Sequence, residues 1–315
     1  MRTIMRARIR GLTLTGVAPA MVAALALVLS TMNATSAQER SYQERFMRGQ
    51  NIAPAFEGWE ANPDGSFNMV FGYFNRNWEE QPDTPVGPNN TVEPGGPEQG
   101  QPTHFFPRRN QFVFRVQVPK DFGQKELVWT LAVHGKTEKA YATLKPEYAL
   151  DDGIIQRNYS NGTPPRMHEN KRPVVRVDGD RQRTVKVGEP LALTAYVTDD
   201  GLLKARPAGP GSPSLGGPGY NPALGLRVAW FVYRGPADKV TFDPEQLKVY
   251  QDVNGNSPWR PGWVPPPLPA DGKFPVRVTF GVPGTFVVRV MAHDGLAVTE
   301  DVIVTVTPSS SASAR

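Results

Sequence analysis

The chain has 315 residues, a length that allows about two domains of ~150 residues each. Hydrophobic residues make up 39% of it, which is enough to fill protein cores and argues against global disorder. Its 30 glycines and 32 prolines favour turn-rich β structure over a helical bundle, and its lack of cysteine excludes disulfides, thiol catalysis and a lipid-modified cysteine.

The first 37 residues have the three parts of a secretory signal peptide. The segment starts with four arginines and no acidic residue, continues with the apolar stretch GLTLTGVAPAMVAALALVLS, and ends with the small residues NATSA. We expect cleavage after Ala37 and export to a bacterial periplasm or the cell exterior, with no membrane span remaining. A retained membrane anchor is the alternative, because the apolar stretch approaches the ~20 residues that a spanning helix needs.

The charge of the expected mature chain argues against a nucleic-acid partner. The whole chain carries a formal charge of +5, but without the first 37 residues 31 basic side chains face 30 acidic ones, so the net charge falls to about +1. Nucleic-acid binding needs a concentrated basic face. We therefore expect a partner of another kind.

Residues 38–55 are a polar N-terminal segment, and residues 56–147 are predicted to form a β domain. The turn signal NPDG separates two β-prone runs, and the runs QFVFRVQVP and ELVWTLAVHG repeat the apolar alternation of a strand. Residues 81–103 contain six prolines and four glycines, so we expect a long surface loop there. The residues expected to share a strand face are Phe67, Met69, Phe71 and Tyr73; Phe112, Phe114, Val116 and Val118; and Leu127, Trp129, Leu131 and Val133.

Residues 148–173 read as a polar linker, residues 174–308 as a second β domain, and residues 309–315 as a disordered tail. A second Gly/Pro-rich loop, 205–225, interrupts the second domain. The last two predicted strands of the second domain flank an HDG turn. They have one apolar face and one mixed face, and the mixed face carries Arg289 and Thr305. The alternating apolar sets are Leu191, Leu193, Ala195 and Val197; Val228, Trp230 and Val232, with Phe231 and Tyr233 on the opposite face; Phe286, Val288, Val290 and Ala292; and Val302, Val304 and Val306.

Residues 174–307 resemble the PKD and related immunoglobulin-like modules of exported bacterial proteins. The resemblance depends on VKVGEPLALTAYVTDDG, on Trp230, and on the closing pair VPGTFVVRVMAHDG and VTEDVIVTVTP. The chain has WFVYRGP where that family usually has Trp-x-Phe-Gly-Asp-Gly, and the Gly/Pro loop is an insertion. The resemblance implies a spacer, adhesion or binding module.

The N-terminal half resembles a group of uncharacterised exported bacterial proteins. The similar segments are FEGWEANPDGSFNMVFGYFNRNWEE and PTHFFPRRNQFVFRVQVPKDFG. This resemblance implies a recurring structural unit and no particular activity. The predicted fold is therefore all-β, with two antiparallel β-sandwich domains, long Gly/Pro-rich loops and a PKD/Ig-like second domain.

Catalytic motifs are missing from the sequence. It contains no HExxH and no Gly-x-Ser-x-Gly, and its adjacent carboxylates at 79–80, 151–152 and 199–200 are interpreted as turn and surface residues. We expect a protein that is not an enzyme.

Exposed aromatic residues are the main candidates for ligand binding, because aromatic rings stack on sugars and anchor protein partners. A core or loop-pinning role is the alternative for each of them. Three aspartates could also meet at one end of the second sandwich and bind Ca²⁺; no other cofactor is expected. The candidates are Trp59, Trp78, Tyr220, Trp259 and Trp263 for ligand binding, and Asp199, Asp200 and Asp294 for the metal.

The predicted function is that of an exported, non-catalytic protein of the cell envelope or secreted space. It would act in structure, adhesion or assembly through protein or glycan contacts. A carbohydrate-active hydrolase, or a glycan-binding accessory module of one, is the alternative.

Overall fold

The computed structural model describes residues 46–159, 166–203, 225–246 and 267–309. All of them belong to one compact unit, Arg45–Arg315. They form fourteen strands and one α-helix, so the predicted all-β class is confirmed. The expected signal peptide and its cleavage site lie outside the described residues. In the described ranges, no helix is both long enough and apolar enough to cross a membrane.

The N-terminal half is built from two three-stranded sheets. One has the strand order β1-β2-β4 and the other β3-β5-β6, and every pairing is antiparallel. The strands are β1 Ile52–Ala61, β2 Phe67–Asn75, β3 Asn90–Glu93, β4 Arg108–Val118, β5 Leu127–Val133 and β6 Lys136–Ala142.

Alternating apolar side chains explain the core of this half. The expected faces of β2 and β5 both point into one cluster, where Phe71 stacks on Phe114 and meets the edge of Trp129. The NPDG turn joins β1 to β2 as predicted, with Gly65 in the positive-φ conformation that this turn requires.

Strand β4 departs from the predicted alternation at Phe112. Phe114, Val116 and Val118 face the main cluster, but Phe112 packs on the other face of the sheet with Val70 and Leu296. The reason is an irregularity in the β2–β4 pairing between Phe71 and Tyr73, together with a positive φ of 54° at Phe112. A bulge of this kind reverses which side chains point inward, so the prediction that Phe112 shares the face was wrong.

The Gly/Pro-rich segment 81–103 is not only a surface loop. It contains strand β3, and Val92 is completely buried. Amide side chains support the rest of the segment: Asn90 donates hydrogen bonds to the backbone oxygens of Thr84 and Pro102, and Gln99 donates one to that of Val92. Backbone groups satisfied in this way can be buried without a regular sheet.

The C-terminal half is a sandwich of two four-stranded sheets. Their strand orders are β10-β13-β14-β8 and β11-β12-β9-β7, and the only parallel pair among the described strands is β14–β8. The strands are β7 Val174–Val177, β8 Gln182–Lys186, β9 Pro190–Thr198, β10 Arg227–Arg234, β11 Val240–Asp243, β12 Lys273–Phe280, β13 Gly284–His293 and β14 Ala297–Thr307.

The predicted apolar faces of this half meet between the two sheets. Trp230 lies at the centre with no solvent exposure, and Phe280 packs on Phe286 at a centroid distance of 4.8 Å. A buried tryptophan between two face-to-face sheets is the arrangement of an immunoglobulin-like sandwich.

The second face of β10 and β13 is also buried, although the sequence predicts a mixed and partly exposed face on β13. Phe231 and Tyr233 join the core of the N-terminal half, where Phe231 meets the edge of Phe106 at 5.6 Å. Arg289 is buried too: its guanidinium lies 3.3 Å from the centroid of the Tyr233 ring and pairs with Asp301. The two halves therefore share one layer, β10–β13, that is buried on both faces.

The segment expected to be a linker contains a short helix, α1 (Asp152–Tyr159). Ile155 of this helix is buried against Val70 of β2 and Leu296 of the β13–β14 turn. The helix thus contacts strands of both halves.

Candidate functional site

Trp59 and Trp78 are the two candidate aromatic residues in the described part of the chain, and each is engaged inside the molecule. Trp59 donates its indole hydrogen to the backbone oxygen of Lys145 at 2.9 Å and packs edge-on against Phe67. The guanidinium of Arg108 lies 4.3 Å from the centroid of the Trp78 ring. Both residues are half-buried. Tyr220, Trp259 and Trp263 lie outside the described residues.

A hollow of about 430 Å³ lies where the two halves meet. Phe106, Trp230 and Phe242 line it together with His104. Sequence analysis did not identify His104, which is buried and has both ring nitrogens occupied: Nδ1 lies 2.8 Å from Asp83 Oδ1 and Nε2 lies 3.0 Å from Gln81 Oε1. Both ring nitrogens of His104 are therefore engaged by side chains of the same chain.

The three candidate metal ligands lie near one end of the C-terminal sandwich, but only two of them come together. The carboxyl groups of Asp199, after β9, and Asp294, in the β13–β14 turn, lie close enough to interact. Asp200 turns away: its carboxylate accepts hydrogen bonds from the backbone N–H groups of Lys171 and Leu202. In the described ranges, no group of three or more His, Asp or Glu side chains could hold a metal ion.

The carboxyl pair is held by local turns and is partly removed from water. Leu296 N–H donates to Asp294 Oδ1 at 3.0 Å, and Gly201 N–H donates to Asp199 Oδ2 at 2.9 Å. Burial is the main cause that raises the pKa of Asp294 to about 6; the adjacent Asp199 carboxyl adds to it, and hydrogen bonds from Leu296 and Asn170 oppose it.

Two amides that sequence analysis missed complete this end of the sandwich. Asn170 donates its Nδ2 hydrogen to Asp294 Oδ2 at 2.8 Å. Gln156 of α1 packs against Gly295, where an added Cβ would lie 3.8 Å from Gln156 Oε1. No local signal could have found either residue, because both belong to the polar 148–173 segment and only the tertiary fold brings them to the β13–β14 turn.

The fold and these sites define an all-β chain whose C-terminal part is an immunoglobulin-like sandwich. No protein-family description matches the sequence, and no curated protein matches it. Among solved structures, the tandem Ig repeats of Dlar are 12% identical with a TM-score of 0.28; the match covers 82% of this chain and 98% of that one. The D00-D0 domain of intimin is 12% identical with a TM-score of 0.22, covering 81% and 100% of the two chains.

Domains 4 and 5 of the S-layer protein SbsC are 9% identical with a TM-score of 0.22, and the match covers 58% of this chain. The chain covers less than two thirds of the length of this and of a six-domain SbsC structure, 66% and 28% respectively. Similarity at this level carries no argument about what the chain does. The resemblance of the N-terminal half to uncharacterised exported bacterial proteins stays a prediction.

Proposed function

We propose that the chain is an exported, non-catalytic protein of the cell envelope or secreted space. It binds a protein or glycan partner in a structural, adhesive or assembly role, and the aromatic residues of segments 204–224 and 247–266 are the proposed contacts. One observation carries this proposal: the described strands that flank residues 204–224 and 247–266 begin and end at the same end of the sandwich.

Strand pairing places the residues that flank both segments at the same end of the C-terminal sandwich. Lys273 pairs with Tyr196, so β12 starts beside the end of β9, and Arg227 pairs with His293, so β10 starts beside the end of β13. The contact between Asp199 and Asp294 joins the two sheets at this end. Segment 204–224 runs between β9 and β10, and segment 247–266 between β11 and β12.

These two segments contain three of the five candidate aromatic residues, namely Tyr220, Trp259 and Trp263. Loops that start from one end of a rigid sandwich are the usual binding elements of immunoglobulin-like domains, because the frame positions them while their sequences vary. The shared β10–β13 layer supports such a rigid frame.

The Asp199–Asp294 pair does not have the geometry of a glycosidase site. A glycosidase needs two carboxyl groups about 5–9.5 Å apart so that the sugar, or the sugar and a water, fits between them. Asp199 and Asp294 touch each other and leave no such space. His104 in the hollow is occupied on both nitrogens.

The test measures binding and hydrolysis with the same purified protein. The wild type is applied to a panel of soluble envelope glycans by affinity electrophoresis and to immobilised purified envelope proteins by surface plasmon resonance. We expect retention by at least one ligand, loss of that retention in the Trp259→Ala/Trp263→Ala double variant, and no release of reducing sugar.

Trp78→Ala is the matched control, since it removes an indole that lies outside the loop segments. We expect Trp78→Ala to bind as the wild type does. Robust sugar release would support the hydrolase alternative instead. Equal loss of binding in Trp78→Ala and in the double variant would contradict recognition through segments 204–224 and 247–266.

A further inference from the structure

The end of the sandwich that holds Asp199 and Asp294 also holds three buried acceptor oxygens without a donor among the described residues. Asp199 Oδ1 is buried and accepts no N–H or hydroxyl hydrogen bond from the other described residues. Asn170 Oδ1 and Gln156 Oε1 are also buried and accept no hydrogen bond from the described residues. Asn170 is 7% exposed and Gln156 is 2% exposed. A buried oxygen without a partner costs about 1–3 kcal/mol, so three in one place need an explanation.

These oxygens belong to one neighbourhood. Asn170 is tied to Asp294 through its Nδ2, and Asp294 touches Asp199. Gln156 lies against Gly295, the residue next to Asp294. Segments from α1, from the residue after the 3-10 turn Met167–Glu169, from the end of β9 and from the β13–β14 turn therefore deliver two carboxylates and two amide oxygens to one end of the fold.

Neither carboxyl group forms an ion pair with an arginine or lysine of the described residues. The positive charge of Arg227 lies nearby, at Nδ1 of His293. One proton shared between the two carboxyl groups would satisfy Asp199 Oδ1 but would leave the oxygens of Asn170 and Gln156 without a donor. A cation bound between these side chains would satisfy the carboxylate and amide oxygens together.

We propose that Asp199, Asp294, Asn170 and Gln156 form a Ca²⁺ site. Calcium takes about six to eight oxygen ligands from carboxylates, side-chain amides, backbone carbonyls and water, and it accepts irregular geometry. The set of two carboxylates and two amide oxygens has this chemistry, and it differs from the three-aspartate set that the sequence suggested because Asp200 is replaced by the two amides. The ion connects α1 and the end of β9 to the β13–β14 turn, next to the residues that flank segments 204–224 and 247–266.

The test titrates Ca²⁺ itself into the full chain, first freed of metal with a chelator. Isothermal titration calorimetry is expected to show one site with a dissociation constant of about 0.1–1 mM, the range of extracellular calcium modules. Calcium well above that concentration should raise the melting temperature, because it binds the folded chain and not the unfolded one.

Two variants test the ligand set. Asp199→Asn removes one carboxylate charge and should weaken calcium binding by about tenfold or more, since affinity follows the number of charged ligands. Gln156→Met keeps the shape of the side chain but removes Oε1, so it should weaken binding and reduce the calcium-dependent rise in melting temperature. This second variant decides the matter if Asp199→Asn does not fold.

Asp200→Asn is the matched control, because it makes the same charge change in the same turn at a carboxylate that faces backbone N–H groups. It should bind calcium as the wild type does. The proposal is overturned if the wild type shows no calcium heat and no thermal shift, or if Asp199→Asn and Gln156→Met bind as tightly as the wild type. It is equally overturned if only acidification stabilises the wild type, since that result assigns the carboxyl pair to a shared proton. All these readouts are independent of any glycan or protein partner.

Discussion

Asn90 shows how one buried amide can organise a segment that is poor in apolar residues. Its Oδ1 accepts a hydrogen bond from the indole of Trp129, and its Nδ2 donates to the backbone oxygens of Thr84 and Pro102. The side chain thereby connects the core of the N-terminal half to both ends of the Gly/Pro-rich segment 81–103.

Asn90→Ala should lower the free energy of unfolding by about 2–4 kcal/mol, because it leaves a buried indole N–H and two carbonyl oxygens without partners. Urea denaturation followed by tryptophan fluorescence measures the change. Asn89→Ala, at an exposed neighbouring position, is the control and should change the free energy by less than about 0.5 kcal/mol. A loss in Asn90→Ala no larger than in the control would contradict the role given to Asn90.

His293 is held in its neutral form inside the C-terminal half. Its Nδ1 accepts hydrogen bonds from Gly295 N–H at 3.0 Å and from Arg227 Nη2 at 3.2 Å. Burial lowers the pKa of His293 well below the ordinary 6.5, and the positive charge of Arg227 lowers it further.

The lowered pKa predicts a pH dependence of stability. The unfolded chain takes up a proton on His293 as the pH falls below about 6.5 while the folded chain does not, so this contribution to stability is complete above that pH and is lost on acidification. The loss approaches about 1.4 kcal/mol per pH unit for one proton. Comparing urea unfolding of the wild type with His293→Gln between pH 7 and pH 5 should show a flatter dependence in the variant. His168→Gln, at an exposed histidine, should follow the wild type; a wild-type curve parallel to that of His293→Gln would contradict the prediction.

At the scale of elements, the sheet β1-β2-β4 is shaped by a partly buried ion pair that crosses Gly72. Glu57 lies at an irregularity of β1 and pairs with Arg109 of β4 at 2.6 Å. Burial raises the pKa of Glu57 even though Arg109 opposes this effect. A Cβ at residue 72 would lie 2.0 Å from Glu57 Oε1 and 2.4 Å from the backbone oxygen of Asn110, so only glycine leaves room for the pair.

Gly72→Ala should therefore destabilise the protein by about 1–3 kcal/mol or more, because both the sheet backbone and the Glu57–Arg109 pair must move. Thermal and urea unfolding measure this change. Gly153→Ala, in the first turn of α1, is a useful contrast: its added Cβ would meet the exposed Asp151 carboxylate at 3.2 Å, and alanine favours helix by up to about 1 kcal/mol. If Gly72→Ala unfolds at the same urea midpoint as the wild type, the space at residue 72 does not limit which side chain can be placed there.

At the scale of the whole molecule, the doubly buried layer β10–β13 makes the two halves depend on each other. Tyr233 donates its hydroxyl hydrogen to the backbone oxygen of Gly100 at 2.6 Å, and Arg234 donates to that of Gln101 at 2.8 Å. Arg289 reaches the backbone oxygen of Val113 at 3.4 Å. These bonds cross between sandwiches whose cores already meet at Phe106 and Phe231.

We expect the wild type to unfold in a single calorimetric transition with equal calorimetric and van't Hoff enthalpies. Phe231→Ala should lower the stability of that one transition by about 3–5 kcal/mol, as removal of a fully buried phenylalanine does. Fluorescence from Trp129 in one half and Trp230 in the other, each isolated by replacing the other tryptophans with phenylalanine, should report the same midpoint. Two separate transitions in the wild type would mean that the halves unfold independently.

The sequence by itself determined the β class, most of the strands and most of the inward faces. Apolar side chains that alternate with a period of two can be buried together only on a pleated strand, and this local rule placed Trp129, Trp230 and Val288 correctly. The rule failed at Phe112, because the bulge that reverses that face depends on a neighbouring strand. It also could not show that the second face of β13, with Arg289, would be covered by the other half.

The candidate sites depended much more on tertiary structure. The sequence suggested that Asp199 and Asp294 could meet, but the two amides beside them come from α1 and the segment after it, more than a hundred residues from the β13–β14 turn. Strand order and register decide which distant residues meet, and they are set by the packing of whole sheets. Local side-chain patterns record which face is buried, whereas the partner across that face is fixed only when the chain folds.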